Sequence, residues 1–246
     1  MKKTLLAVLL GSFALASFAQ PITIEKQGAF SAGGTVIEAK KTFDPYHPEP
    51  DAMTLHGDHA NVIYQIPAHA KNVSLMFLHG AGQSMRTWQT TPDGREGFQS
   101  VFLRKGYPVY LIDQPRRGDA GRATVDGTIK ASPDEQFWFG QFRMGLWPKF
   151  YDNSAFASQK DLNSFWRQMT PNTAPYNDKV IADAVTDALQ KTEGTVLVTH
   201  SQGCGPGWLI GTEAGKNLKG IIAFEPGSGF IFPEGKVPAP IPNNSF

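Results

Sequence analysis

Apolar positions along the chain fall into short runs, and several of these runs do not alternate with polar residues. Lys71 to Leu78 (K-N-V-S-L-M-F-L) is nearly continuous in its second half, and Val109 to Asp113 (V-Y-L-I-D), Thr195 to Val198 and Gly220 to Phe224 (G-I-I-A-F) are similar. Uninterrupted apolar runs of this length predict strands covered on both faces. Ala60 to Pro67 reads as a further strand ending at its proline, and Gly34 to Ala39 as a weaker one. Between the runs the period changes. Val180, Ile181, Ala184, Val185, Ala188 and Leu189 share one helical face, Asn177-Asp178 can cap that helix, and Gly194 follows its end. Glu96 to Lys105 and about Trp208 to Ala214 are also compatible with helices. Alternation of this kind predicts an α/β fold with a doubly wound, mostly parallel sheet. Phe43 to Pro50, crowded with Pro and His, reads as a loop.

The alternation breaks between about residues 123 and 173. Phe137, Trp138, Phe139, Phe142, Trp147, Phe150, Tyr151, Phe156, Phe165 and Trp166 all fall in this interval. An insertion at this point would sit over the carboxyl ends of the strands, where ligands bind in open α/β sheets. It is expected to form a cap lining an apolar pocket; the alternative is a helical extension that packs on itself.

Met1 to Ala19 carries Lys2 and Lys3, an apolar stretch from Leu5 to about Leu15, and Ser17-Phe18-Ala19 before Gln20. This pattern predicts an export signal cleaved after Ala19, leaving 20–246 as one domain. The apolar run is shorter than the roughly 18 to 20 residues a membrane span needs, so no stable anchor is expected. Export implies a periplasmic or secreted protein. Loss of Lys2 and Lys3 takes the formal charge from +1 to −1, which gives no reason to expect nucleic-acid binding. The single cysteine, Cys204, excludes an intramolecular disulfide and is read as a small core residue.

The chemistry gathers where strands end. Gly194 to Trp208 reads G-T-V-L-V-T-H-S-Q-G-C-G-P-G-W: a strand, a sharp turn bearing Ser201, and small residues leading into a helix. The Lys71 to Leu78 run exits into His79-Gly80-Ala81-Gly82, Val109 to Asp113 into Gln114-Pro115-Arg116-Arg117-Gly118, and Gly220 to Phe224 into Glu225-Pro226-Gly227. In this order the segments resemble the α/β-hydrolase superfamily, and more narrowly the secreted bacterial esterases with a T-H-S-Q nucleophile elbow. The resemblance implies Ser201 as nucleophile, Glu225 as the acid that orients the base, and the backbone amides of Ala81 and Gln202 as the oxyanion hole. It implies no cofactor and no metal, and a small-molecule ester as substrate, which the aromatic residues between about 123 and 173 favour as apolar or aryl in its acyl group.

Two departures stand out. Thr199 occupies the first glycine position of the G-x-S-x-G elbow. No histidine follows Glu225, where the triad order of this fold would place the base. The sequence is therefore expected to be C-terminally incomplete. Of the six histidines, His79 and His200 belong to motif positions and His47, His56, His59 and His69 to early loops; none is assigned as the base. A non-catalytic binding or remnant protein with a hydrolase fold is the second expectation. His56 and His59, spaced H-x-x-H without H-E-x-x-H, do not make a zinc signature. Nothing in the sequence fixes an oligomeric state.

Overall fold

The computed structural model describes residues 21–156 and 158–229 of the chain. The expected export signal over 1–19 and the Pro-rich stretch after Gly229 lie outside the described residues. In chain order the elements are β1 (Ile24–Ala32), β2 (Thr35–Ile37), β3 (Leu55–Gly57), β4 (Ala60–Pro67), β5 (Ser74–Leu78), α1 (Phe98–Arg104) and β6 (Val109–Asp113). They continue with α2 (Glu135–Gln141), β7 (Gly145–Leu146), β8 (Lys149–Phe150), α3 (Gln159–Trp166), α4 (Asp178–Gln190), β9 (Thr195–His200), α5 (Cys204–Glu213) and β10 (Leu218–Phe224).

Among the described residues six strands form the main sheet, in the order β1-β4-β6-β5-β9-β10. β6, β5, β9 and β10 run parallel, while β4 and β1 join antiparallel at one side. Every residue of β5 and β6 is buried, as strands sandwiched between helices require. Alternate side chains of β5 serve opposite cores. Met76 and Leu78 pack with Ile181, Val185, Leu189 and Ile210 of α4 and α5; Leu75 and Phe77 pack with Trp88, Leu103 and Val198 on the α1 side. Helices on both faces of a mostly parallel sheet are the doubly wound arrangement the hydrophobic runs predict.

The α4 helix begins at its expected cap. Asn177 Oδ1 accepts from the N–H groups of Lys179 and Val180 (3.0 and 3.1 Å), satisfying two donors that lack an intrahelical partner. Its buried face includes Ala182 where the sequence periodicity suggested Val180, which is only half-buried.

The segment between β6 and α4 carries α2, β7, β8 and α3. These elements surround a small cluster of their own, with Phe139, Met144 and Leu162 buried and Phe142, Phe150, Phe165 and Trp166 against it.

Loops at the carboxyl ends of β5, β6, β9 and β10 converge on one rim of the sheet. Parallel strands place these ends together, and that rim carries every segment whose sequence suggested chemistry.

Candidate active site

Ser201 sits immediately after β9 with φ +51°, a left-handed conformation that costs a non-glycine residue of order 1–3 kcal/mol. The turn is held because its neighbours leave no room to relax. A Cβ on Gly203 would lie 2.5 Å from the carbonyl oxygen of His79, and one on Gly80 would lie 2.9 Å from Ser201 Cβ. Thr199 is tolerated at the first elbow position because the space it needs is vacated across the turn. Its Cγ2 lies 2.9 Å from where a Cβ on Gly207 would be, and its hydroxyl meets Cys204 Sγ at 3.1 Å.

The β5 exit is bound on all sides. His79 is fully buried; its Nε2 accepts the Gln114 N–H (3.4 Å), so Nδ1 carries the proton and donates to the Gly80 carbonyl (3.1 Å). Burial, and then the charge of Arg117, hold His79 down at about 3, so it is neutral, and its approach to Asp113 at 3.7 Å is not an ion pair. Asp113 accepts the Met85 N–H (2.6 Å) and the Asp119 N–H (2.9 Å), joining the β5 and β6 exits. Gln83 Oε1 takes the Gly80 N–H (2.9 Å) and also meets His200 Nδ1 (3.0 Å). The Ala81 N–H is left with no acceptor among the described residues. The Gln202 N–H lies in the first turn of the short helix Ser201–Gly203, where N–H groups lack intrahelical partners.

Glu225 also has a left-handed backbone, φ +44°. Gly227 behind it donates its N–H to the Ser201 carbonyl (2.9 Å). These two strained non-glycine residues end adjacent parallel strands, β9 and β10. Over residues 75–245 the sequence matches the family described as the alpha/beta hydrolase family. The chain belongs to the alpha/beta hydrolase family.

Two proteins similar to this chain have names or titles that describe them. A protein named "Probable secreted lipase phiG", from Fungal sp. (strain ATCC 74256), is 32% identical over 161 residues, covering 62% of this chain and 44% of the lipase. The chain thus spans less than half of that relative's length. A solved structure titled "The Atomic Resolution Structure of a Novel Bacterial Esterase" superposes with a TM-score of 0.72 at 29% identity, over 85% of this chain and 70% of that one.

Ala81 and Gln202 both line a cavity of about 820 Å³ whose lining also includes Trp138, Phe142 and Trp166. Trp138 stacks on Phe142 (5.1 Å between centroids), and its Nε1 donates to Asp134 (2.9 Å). The structure brings Ser201, Ala81 and Gln202 together and places Glu225 at the next strand end. Glu225 is engaged elsewhere: its carboxylate pairs with Arg143, just after α2, at 2.6 Å, and both side chains are exposed. Among the described residues no histidine hydrogen-bonds Ser201. His47 pairs with Asp44, while His56 and His69 are exposed. No group of three or more His, Cys, Asp or Glu side chains among the described residues could hold a metal ion.

Sequence reasoning passed over Arg117. It is among the largest fully buried side chains, and it donates to Gly80 O (2.7 Å), Asn172 Oδ1 (2.7 Å) and Gln202 Oε1 (3.2 Å). The available signal was weak: an arginine pair directly after a buried strand, in a stretch that otherwise reads as a turn.

Proposed function

We propose that this protein is an exported serine hydrolase that cleaves carboxylic esters through an acyl-enzyme on Ser201. The observation that carries the reading is the strained Ser201 turn facing two unengaged amides, those of Ala81 and Gln202. Ser201 Oγ attacks the ester carbonyl as its proton passes to a general base, and the two amides donate hydrogen bonds to the carbonyl oxygen as it gains charge. Fixed donors of this type contribute about 10²–10³ in turnover each. Collapse expels the alkoxide, which takes that proton from the base and leaves as the alcohol; water, giving a proton to the same base, then attacks the acyl-enzyme, and Ser201 leaves reprotonated as the acid is released. Glu225, exchanged from Arg143, is the residue that orients the base. The segment over 123–173 acts as a cap, and its aromatic wall suits an apolar or aryl acyl group. The lipase and esterase names of the two relatives, the former with "secreted", support ester chemistry and export.

The test is labelling by a fluorophosphonate probe together with hydrolysis of a p-nitrophenyl ester. Ser201→Ala is expected to abolish both; turnover that survives the substitution ends the proposal. A second reading, binding without turnover, is favoured by the Glu225–Arg143 pair and by the lack of a histidine on Ser201 among the described residues. Ester turnover that disappears in Ser201→Ala excludes it.

A further inference from the structure

Arg117 is nine-tenths or more buried, yet its three acceptors, Gly80 O, Asn172 Oδ1 and Gln202 Oε1, are all neutral oxygens. A buried cation without a hydrogen-bonded carboxylate is costly, and a neutral amide could satisfy hydrogen bonds of this kind more cheaply. The guanidinium is therefore placed where its charge has work to do. We propose that Arg117 is a positioning residue that orients and polarises the oxyanion-hole peptide. The proposal rests on the reading of the Ala81 and Gln202 amides as the oxyanion donors.

The Gly80 carbonyl and the Ala81 N–H belong to one peptide unit. Donation into the carbonyl draws electron density from the amide nitrogen by resonance, and the N–H at the other end becomes a stronger donor. Arg117 makes that donation at 2.7 Å, and His79 Nδ1 adds a second at 3.1 Å. Rotation of the neighbouring peptide is blocked, because the Gly80 N–H is held by Gln83. The same guanidinium grips Gln202, the residue that supplies the second amide, and through Asn172 it is braced against the chain leaving α3. Arg117 also borders the cavity that Ala81 and Gln202 face. Burial lowers its pKa to about 10, so it carries its charge at neutral pH. One side chain thus fixes both donors and biases them toward a developing negative charge.

Two variants of the full chain test this: Arg117→Met, which removes the charge, and Arg117→Lys, which keeps it. The expected result for Arg117→Met is a fall in kcat of roughly 100-fold with KM little changed, the signature of an interaction made in the transition state. Arg117→Lys should recover part of that loss. A rise in KM at unchanged kcat would make Arg117 a substrate-binding residue and overturn the proposal. The second measurement needs no turnover. In ¹H–¹⁵N spectra the Ala81 amide proton should move upfield and exchange more slowly in Arg117→Met, with β5 and β9 amides unmoved. An Ala81 resonance that stays in place in both variants overturns the proposal, and should Arg117→Met not fold, Arg117→Lys alone carries the comparison. Ser201→Ala separates the two readings. If it retains turnover the serine reading fails, and the Ala81 resonance still decides the role of Arg117.

Discussion

Thr199 and Gly207 show how a single departure from a motif is absorbed by its neighbour. A helix-interior glycine costs up to about 1 kcal/mol relative to alanine, so Gly207→Ala would stabilise α5 if only propensity mattered. Here the new methyl meets Thr199 Cγ2 at 2.9 Å, and overpacking of this sort costs about 1–3 kcal/mol. Gly207→Ala is expected to lower stability in denaturant unfolding, whereas in a Thr199→Ser background, which removes that methyl and keeps the hydroxyl on Cys204, it should be neutral or stabilising. Additive effects in the double variant would contradict the contact. His79 gives a second prediction at this scale. Its folded pKa of about 3 lies below the 6.5 of the free side chain, and burial also lowers His200. As pH falls through about 6.5 the unfolded chain takes up protons that the folded chain refuses, so stability is full above that pH and declines toward about 3. Each such histidine contributes a slope of up to about 1.4 kcal/mol per pH unit. Asp113, raised by burial, acts in the opposite sense. The melting temperature should therefore fall between pH 7.5 and 5, and fall less in His79→Gln; identical slopes in the two proteins would contradict a neutral buried ring.

Elements were legible where burial alone dictated the residues. β5, β6 and β9 lie inside the sheet, and both of their faces demanded apolar side chains. β1, nine residues long, was not legible: as an edge strand paired only with β4 it leaves most of Ile24–Ala32 exposed, so no periodicity was imposed on it. The start of α5 was missed for a different reason. Gly205-Pro206-Gly207 reads only as small residues leading into the helix, yet a proline in the first helical turn lacks only an N–H that would have had no partner. The site followed the same division. The strand-end placement of Ser201, Ala81, Gln202 and Glu225, the proposed site residues, was legible from apolar runs and glycines, while Arg117 and the Arg143 contact to Glu225 were not, because they join elements far apart in sequence. The pair of Asp58 and Arg116 is of this kind. It ties the turn between β3 and β4 to the β6 exit by two hydrogen bonds, 2.8 and 2.9 Å, with both side chains buried. Asp58→Ala would strand the guanidinium and is expected to cost about 3–5 kcal/mol. Asp58→Leu with Arg116→Met should cost much less, and equal losses in the single and double variants would show that the charge is not what matters.

At the scale of the molecule, the proposed reaction depends on two bodies that meet across one cavity. The sheet rim supplies Ala81 and Gln202 to its lining, with Ser201 next in the chain to Gln202; the segment over 123–173 supplies the aromatic wall, stiffened by its own cluster of Phe139, Met144 and Leu162. Trp138 in that wall is held by stacking on Phe142 and by the bond from Nε1 to Asp134. A rigid aromatic surface binds an aryl acyl group without first losing side-chain freedom, and aromatic contacts of this sort contribute about 0.5–1.5 kcal/mol beyond the area they bury. Trp138→Ala should therefore lower kcat/KM for a phenylacetyl or benzoyl ester by about 2- to 13-fold, chiefly through KM. The acetyl ester of the same alcohol, too short to reach across a cavity of about 820 Å³, should change little. Equal losses for the aryl and acetyl esters would mean that the wall acts on the serine rather than on the substrate. A loss confined to the aryl ester would make the segment over 123–173 the selector of the acyl group, with the chemistry left to the sheet rim.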